Sequence, residues 1–415
     1  MQRRTLLKSS LLGAGFGLAG GLSKVALTGA APNGSRSTTP VVDTTSGKVR
    51  GVLHAGVHSF RGIPYGASTA GANRFLPPRK VEPWTGVRDA FQNGHSSPQV
   101  APAPSAIGAG LRGYAAQGED CLVLNVFTNG VNDNKKRPVM MWIHGGGYTY
   151  GSGGSLGYDG GNLARTGDVV VVCINHRLNI VGHLFLGHAG SVIESSGNAG
   201  MLDIVAALQW VRDNIANLGG DPGNVTIFGQ SGGGGKVSTL LAMPSAKGLF
   251  HKAIVESGST LKQMTKDEAR QTTEKVLAAL GPKSPAELQQ VPIDKLLAAM
   301  GSGTRFGPVV DGSALPHDPF DPEAPTESLD VPILVGTTET EGSYFAPPEL
   351  LTLDEAAARA RLRERLQSDG DRIYDLFRSS RPKATPSELY FTISAFPTSA
   401  HIQVERKAAK AKAPA

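Results

Sequence analysis

Ser231 stands between glycines in Phe228-Gly229-Gln230-Ser231-Gly232-Gly233. The run before it, Asn224 to Phe228, is β-branched and aromatic, and reads as a strand. Lys236 to Met243 read as a helix that stops at Pro244. A serine on a sharp turn from strand to helix is lifted clear of a sheet, with Gly229 and Gly233 leaving room for the crossing. A Gly-Ser surface loop would match the same short pattern. A serine hydroxyl is a weak nucleophile by itself. It needs a base, a group that orients the base, and donors for the oxyanion. Donors are at hand in Trp142-Ile143-His144-Gly145-Gly146-Gly147, where a strand ends in three glycines. Backbone N–H groups can crowd a substrate oxygen where no Cβ intervenes. Gly146, Gly147 and Gly232 would supply them. The alternative, a glycine-rich phosphate loop, lacks the Lys-Ser/Thr ending of that motif.

The elements that must hold these residues are legible in outline. Apolar strand-like runs lie at Val49–Val52, Leu122–Phe127, Val139–Ile143, Val169–Asn175, Val225–Phe228, Ala253–Val255 and Ile333–Val335. Helical patterns alternate with them. The clearest is the stripe Met201, Ile204, Val205, Leu208, Val211 and Ile215, ending at Gly219-Gly220-Asp221-Pro222. This alternation predicts an α/β fold with a mostly parallel central sheet covered by helices on both faces. Thr265–Met300 reads as a helical insertion broken at Gly281-Pro282, and Gln99–Gln117 as a surface loop.

The chain has 415 residues, a net charge of +6 and an isoelectric point near 9.2. The first 31 residues contribute four of those charges and the tail from His401 three, which leaves the body near −1. No basic patch is visible, so neither nucleic acid nor an anionic membrane is an expected partner. Arg3-Arg4, a weakly apolar run from Leu11 to Leu22 and small residues at Thr28–Ala31 read as a twin-arginine export signal over residues 1–31. The rest, 32–415, is then the exported domain, secreted or periplasmic. No segment is long enough to span a membrane comfortably. Of the two cysteines, Cys173 sits in a β-branched run and reads as a small buried hydrophobe.

Several runs together resemble the type-B carboxylesterase (cholinesterase-like) family of the α/β-hydrolase fold. They are Phe60–Tyr65, Glu119–Leu122, His144–Gly147, Gly197–Asp203, Gly219–Pro222 and Gly229–Gly233. The resemblance implies hydrolysis of a small-molecule carboxylic ester through an acyl-serine on Ser231, with no cofactor. It places the acid in Thr338-Glu339-Thr340-Glu341-Gly342, at Glu341 ahead of its neighbour Glu339. It makes Ser257 a serine that supports the site from behind.

The departures from the family pattern are equally specific. The family's histidine follows a strand beyond an alanine- and lysine-rich helix. Here that helix is Val404–Lys410, and the chain ends at Ala415. The expectation is therefore a C-terminally incomplete hydrolase, weak in turnover, with an exposed last helix and an unpaired neighbouring strand. His401 is the only histidine after Glu341 and does not match the family position. An inactive hydrolase fold serving as a binding module, or a non-functional fragment, is the competing expectation. Gln230 replaces the usual glutamate beside the serine, and His176 a usual tyrosine. Ser97 stands where the family pairs a cysteine with the Cys121 position, so that disulfide cannot form. Between Ser97 and Cys121 the only large aromatic is Tyr114, which argues against a choline ester.

Overall fold

The apolar runs fold as strands because their alternate or continuous apolar positions are covered on both faces. The computed structural model describes residues 37–100, 116–187, 193–281, 283–301, 303–410 and 412–415. Residues 36–415 form one unit. The signal-like segment 1–31, and with it the boundary at residue 32, lies outside the described residues, as does most of the Gln99–Gln117 loop.

Twelve strands are described. They are β1 (Ser37–Thr38), β2 (Val42–Thr44), β3 (Gly47–Arg50), β4 (Val52–His54), β5 (Val57–Pro64), β6 (Val87–Asp89), β7 (Val123–Thr128), β8 (Arg137–Ile143), β9 (Val170–Ile174), β10 (Gly220–Gln230), β11 (Lys252–Glu256) and β12 (Ile333–Gly336). Nine form one sheet in the order β1-β4-β5-β7-β9-β8-β10-β11-β12, and β2-β3-β6 form a small second sheet. From β9 to β12 every neighbouring pair is parallel, while from β1 to β9 every pair is antiparallel. The parallel half is the one that the strand–helix alternation foretells. The antiparallel half grows from the N-terminal strands, among them β5, whose Arg and Gly residues hide its periodicity.

The helices are α1 (Gly161–Gly167), α2 (Asn179–His183), α3 (Ala199–Asn214), α4 (Gly232–Leu240), α5 (Lys266–Leu280), α6 (Pro285–Gln290), α7 (Ile293–Ala298), α8 (Glu355–Leu366), α9 (Gly370–Ser380), α10 (Pro386–Ser394) and α11 (Thr398–Lys410). The expected stripe of α3 is buried: Met201, Ile204, Leu208, Val211 and Ile215 are each fully covered, against Val139, Met141 and Ile227 of the sheet. The helical insertion is α5 to α7, and α5 and α6 each open with a capping box, at Thr265/Glu268 and Ser284/Glu287.

Most of the family-like runs hold the scaffold. Arg177 and Asp203 form an ion pair at 2.6 Å with both side chains buried, which fastens α3 to the loop after β9. Glu119 holds Arg74 at 2.7 Å, and Arg74 also donates to the carbonyls of Gln289 and Val291 around α6. Asn198 donates to Val309 O and Asp311 Oδ2, both at 2.8 Å. Cys121 and Cys173 are buried free thiols.

The last helix differs from expectation. α11 is docked: Gln403 and Lys407 are buried on it, and Lys407 Nζ donates to Ser328 O. Beyond it, Lys412 and Ala413 N–H groups donate to Leu329 O, and Ile333 N–H donates to Pro414 O at 3.1 Å. The tail thus runs alongside the start of β12, so that strand is not wholly unpaired. Periodicity misses this because a lysine stem can lie along apolar surface while its ammonium reaches a carbonyl. Leu334, farther along β12, remains 63% exposed.

Candidate active site

β10 ends at Gln230 and α4 begins at Gly232, so Ser231 alone makes the turn, at φ 56° and ψ −124°. A side chain at positive φ costs on the order of 1–3 kcal/mol and persists only where neighbours enforce it. The neighbours are visible. Ser231 N–H donates to Glu256 O at 2.8 Å, and Gly235 N–H donates to Ser231 O at 3.0 Å. A Cβ on Gly233 would lie 2.1 Å from Ile143 O, and one on Gly229 would lie 2.6 Å from the same atom. The turn is possible only because β8, β10 and α4 meet backbone to backbone.

The loop after β8 closes over this turn. Gly146 and Gly147 adopt φ of 94° and 61°. A Cβ on Gly232 would sit 2.5 Å from Gly147 N, so the amide backbones of Gly147 and Gly232 touch. Gly146 O accepts from Thr149 and Tyr150 N–H groups. Gln99 grips the far end, accepting from Gly151 N–H at 2.8 Å and donating to Gly151 O at 3.0 Å. Asn179 N–H donates to Tyr148 O at 2.6 Å. None of these outer supports was singled out from the sequence, since each joins segments far apart in the chain.

Ser257 lies just past β11, at φ 49°, and its N–H donates to Gly336 O at 2.7 Å. Its neighbour Gly258 packs against Ser231, with a Cβ there falling 2.2 Å from Ser231 O. Ser257 therefore belongs to the segment beneath the serine turn.

Ser231 opens into a cleft of about 510 Å³. Gly145, Gly146 and Gln230 line one side, Tyr150 and Tyr158 another, and Thr338 with Thr340–Phe345 the third. Glu341 is in that third wall, with its Oε1 accepting from Thr338 N–H at 2.8 Å. Glu339 turns away to Arg381, at 2.7 Å. No histidine is among the described residues that line the cleft. His401 is elsewhere, exposed on the first turn of α11 with its ring stacked on Phe396 at 5.5 Å. The structure thus brings Ser231, Gly146 and Glu341 to one cleft, with Gly147 and Gly232 packed against each other next to the serine, and leaves His401 apart.

Behind the glycine loop lies a cationic and aromatic cluster. His144 and His176 rings are 4.6 Å apart, and His183 meets Tyr148 edge-on at 5.4 Å. Burial pushes the His144 and His183 imidazoles down to about 3, and the His176 imidazole well below its ordinary value. All three are therefore neutral near pH 7. Lys236 is buried there on α4, with Nζ donating to Gly147 O at 2.7 Å and His144 O at 3.2 Å. Burial lowers its ammonium to about 7. The sequence signal was a lone lysine among small and apolar helix residues, read only as a helix start.

A model of the carboxylesterase family matches residues 38–400. The chain belongs to the carboxylesterase family. It is 41% identical over 326 residues to a para-nitrobenzyl esterase of Bacillus subtilis, covering 75% of this chain and 65% of that protein. It is 37% identical to carboxylesterase 1F of Mus musculus, over 80% of this chain and 65% of the relative. The chain thus spans just under two thirds of the length of these relatives. Among solved structures it is similar to a carboxylesterase of Geobacillus stearothermophilus, with a TM-score of 0.76 and 36% identity over 90% of this chain and 78% of that one. An esterase of Clostridium hathewayi, described as hydrolysing aliphatic aromatic polyesters, superposes with a TM-score of 0.78 at 36% identity, over 91% and 79%. These neighbours share the α/β-hydrolase fold, a large mixed sheet flanked by helices.

Proposed function

We propose that this carboxylesterase-family chain is a carboxylic ester hydrolase acting through an acyl-serine, with Ser231 as nucleophile. Ser231 Oγ adds to the ester carbonyl, its proton passing to solvent water, from which the departing alkoxide takes one. The oxyanion rests on N–H groups of Gly146, Gly147 and Gly232, and the alcohol leaves as the carbonyl re-forms. Water then releases the acid and regenerates the serine. Glu341 is the acid that would orient a histidine base. One observation carries the reading: the strained Ser231 turn abuts the glycine loop and opens to the cleft that Glu341 lines.

The substrate class follows from the walls. Tyr150, Tyr158, Tyr344 and Phe345 are aromatic, and Glu341 is the only charged group among the described residues that line the cleft. A neutral ester with an aromatic or short acyl portion fits such walls, and a cationic choline ester is not favoured by the sequence.

The serine proton has no imidazole acceptor in this cleft among the described residues. Turnover by this chain is accordingly expected to be slow. Loss of a serine hydrolase's base costs roughly a factor of 10⁶ where measured, while about 10³–10⁴ over water persists from the oxyanion hole and binding. The same observation favours a second reading, a hydrolase fold that binds esters without turning them over. Fluorophosphonate labelling separates the two. Labelling that is lost in Ser231→Ala supports an activated serine. An unlabelled wild type, or equal p-nitrophenyl acetate hydrolysis by both proteins, overturns it.

Export is proposed for residues 1–31 on the Arg3-Arg4 pair and the small residues near Ala31. N-terminal sequencing of the mature protein should begin near Ala31 or Pro32. Among the described residues no helix is long and apolar enough to cross a membrane.

A further inference from the structure

A buried lysine with no carboxylate is costly, since desolvation of an ammonium must be offset by nearby dipoles alone. Lys236 is such a group. It is 1% exposed and, among the described residues, in no ion pair. What surrounds it is the underside of the glycine loop. His144 O and Gly147 O accept from its Nζ, and the Tyr148 ring lies 5.2 Å away. The two carbonyls bracket Gly145 and Gly146, so a single ammonium pins the loop on both sides of the residues that approach the cleft. The residue also sits five positions past Ser231 on α4, the helix that begins at the serine turn. It does not line the cleft itself, which excludes it from touching substrate there.

We propose that Lys236 is the positioning residue of the oxyanion hole: it fixes the glycine loop through His144 O and Gly147 O and places a positive charge behind the oxyanion. The first effect preorganises the donors, so that they need not reorient as charge develops. The second acts over a short distance in a dry interior, where Coulomb interactions are weakly screened. The titratable groups facing Lys236 are His144 after β8, His176 after β9, His183 on α2 and Tyr148 on the loop itself. None carries charge near neutral pH, because burial holds the three imidazoles unprotonated and the phenol protonated. Lys236 is thus the cation in this cluster that titrates near neutrality, and its protonated form is the one that strengthens the oxyanion hole.

The kinetic arm of this inference rests on the acyl-serine reading, whereas the structural arm does not. The test compares full-length wild type, Lys236→Met, Lys236→Gln and Ser231→Ala. Amide hydrogen exchange across residues 144–151 is the first measurement. Lys236→Met should speed exchange there at least tenfold with β5 unchanged, and Lys236→Gln, which keeps a donor, should speed it less. Hydrolysis of p-nitrophenyl acetate is the second. Lys236→Met should lower kcat about tenfold to a hundredfold with KM changed less than threefold, in the range set by losing oxyanion-hole support. The ratio of wild-type to Lys236→Met kcat should be largest below pH 7 and shrink above it, as the ammonium loses its proton. Unchanged exchange in residues 144–151, or a loss confined to KM with no pH-dependent ratio, overturns the proposal. Should Lys236→Met not fold, the same exchange in the wild type must show protection falling as pH rises through about 7, and a flat profile overturns it. If Ser231→Ala matches wild type in hydrolysis, the acyl-serine reading fails while the exchange result still decides the role of Lys236.

Discussion

The two walls of the cleft are built by different physics. The serine wall is interior backbone. Ser231, Gly233, Gly147 and the ends of β8, β10 and β11 are locked by N–H···O bonds and by approaches too close for a Cβ. The acid wall, Thr338–Phe345, hangs from β12 at the end of the sheet. Its Glu341 is held by an N–H of its own loop, and Phe345 beside it is 75% exposed. One wall is over-determined by the fold, and the other is held locally. A site can therefore keep a preorganised nucleophile while the group that would activate it is only loosely placed.

The sharpest way to break the comparison is to push a side chain into the serine wall. Gly233→Val would drive a Cβ against Ile143 O, which lies 2.1 Å from its ideal position. Overpacking against backbone cannot be relieved by a rotamer change, so a loss of more than about 4 kcal/mol is expected. Chemical denaturation checks it, and a midpoint equal to wild type would contradict the locked geometry.

Acid titration probes the same wall from behind. His144 and His183 are held down to about 3 and His176 is lowered too, all from an ordinary value near 6.5. Below pH 6.5 the unfolded chain takes up protons that the folded one refuses, so stability falls as pH drops. Three such groups amount to roughly 6 kcal/mol between pH 6.5 and 5 as an upper bound. Unfolding free energies measured across that range should show uptake of about three protons. Lys236 has the same consequence above neutrality. Its ammonium is lowered to about 7 from 10.5, so between those values the unfolded chain again holds the extra proton and stability rises with pH.

Asp203→Asn tests the ion pair that fastens α3 to the loop after β9. It leaves Arg177 buried without its charge partner, and breaking such a pair costs about 3–5 kcal/mol. A melting curve within a degree or two of wild type would show that this ion pair is dispensable.

The smallest effect is expected at the acid wall. Glu341→Gln removes a charge from a partly exposed loop and keeps an acceptor for Thr338 N–H. Stability should move by less than about 0.5 kcal/mol, as for surface substitutions generally. Fluorophosphonate labelling should change less than threefold, because among the described residues no histidine lines this cleft for the carboxylate to orient. A hundredfold drop would show that an imidazole does reach Glu341 and would erase the contrast between the walls.

The sequence by itself determined the local chemistry: a serine between glycines after a β-branched run, three glycines after Ile143, and a buried stripe on α3. These were legible because strand, turn and helix preferences and close-approach glycines act over a few residues. That Glu341 lines the cleft of Ser231 while Glu339 pairs with Arg381, that His401 lies apart from it, and that α11 docks through Gln403 and Lys407 were decided only by the tertiary structure. So was the placement of Lys236, whose partners His144 and Gly147 lie about ninety positions earlier. A carbonyl's demand for a donor leaves no trace in the sequence around it. It is met by whichever side chain the packing of distant strands and helices brings within hydrogen-bond reach.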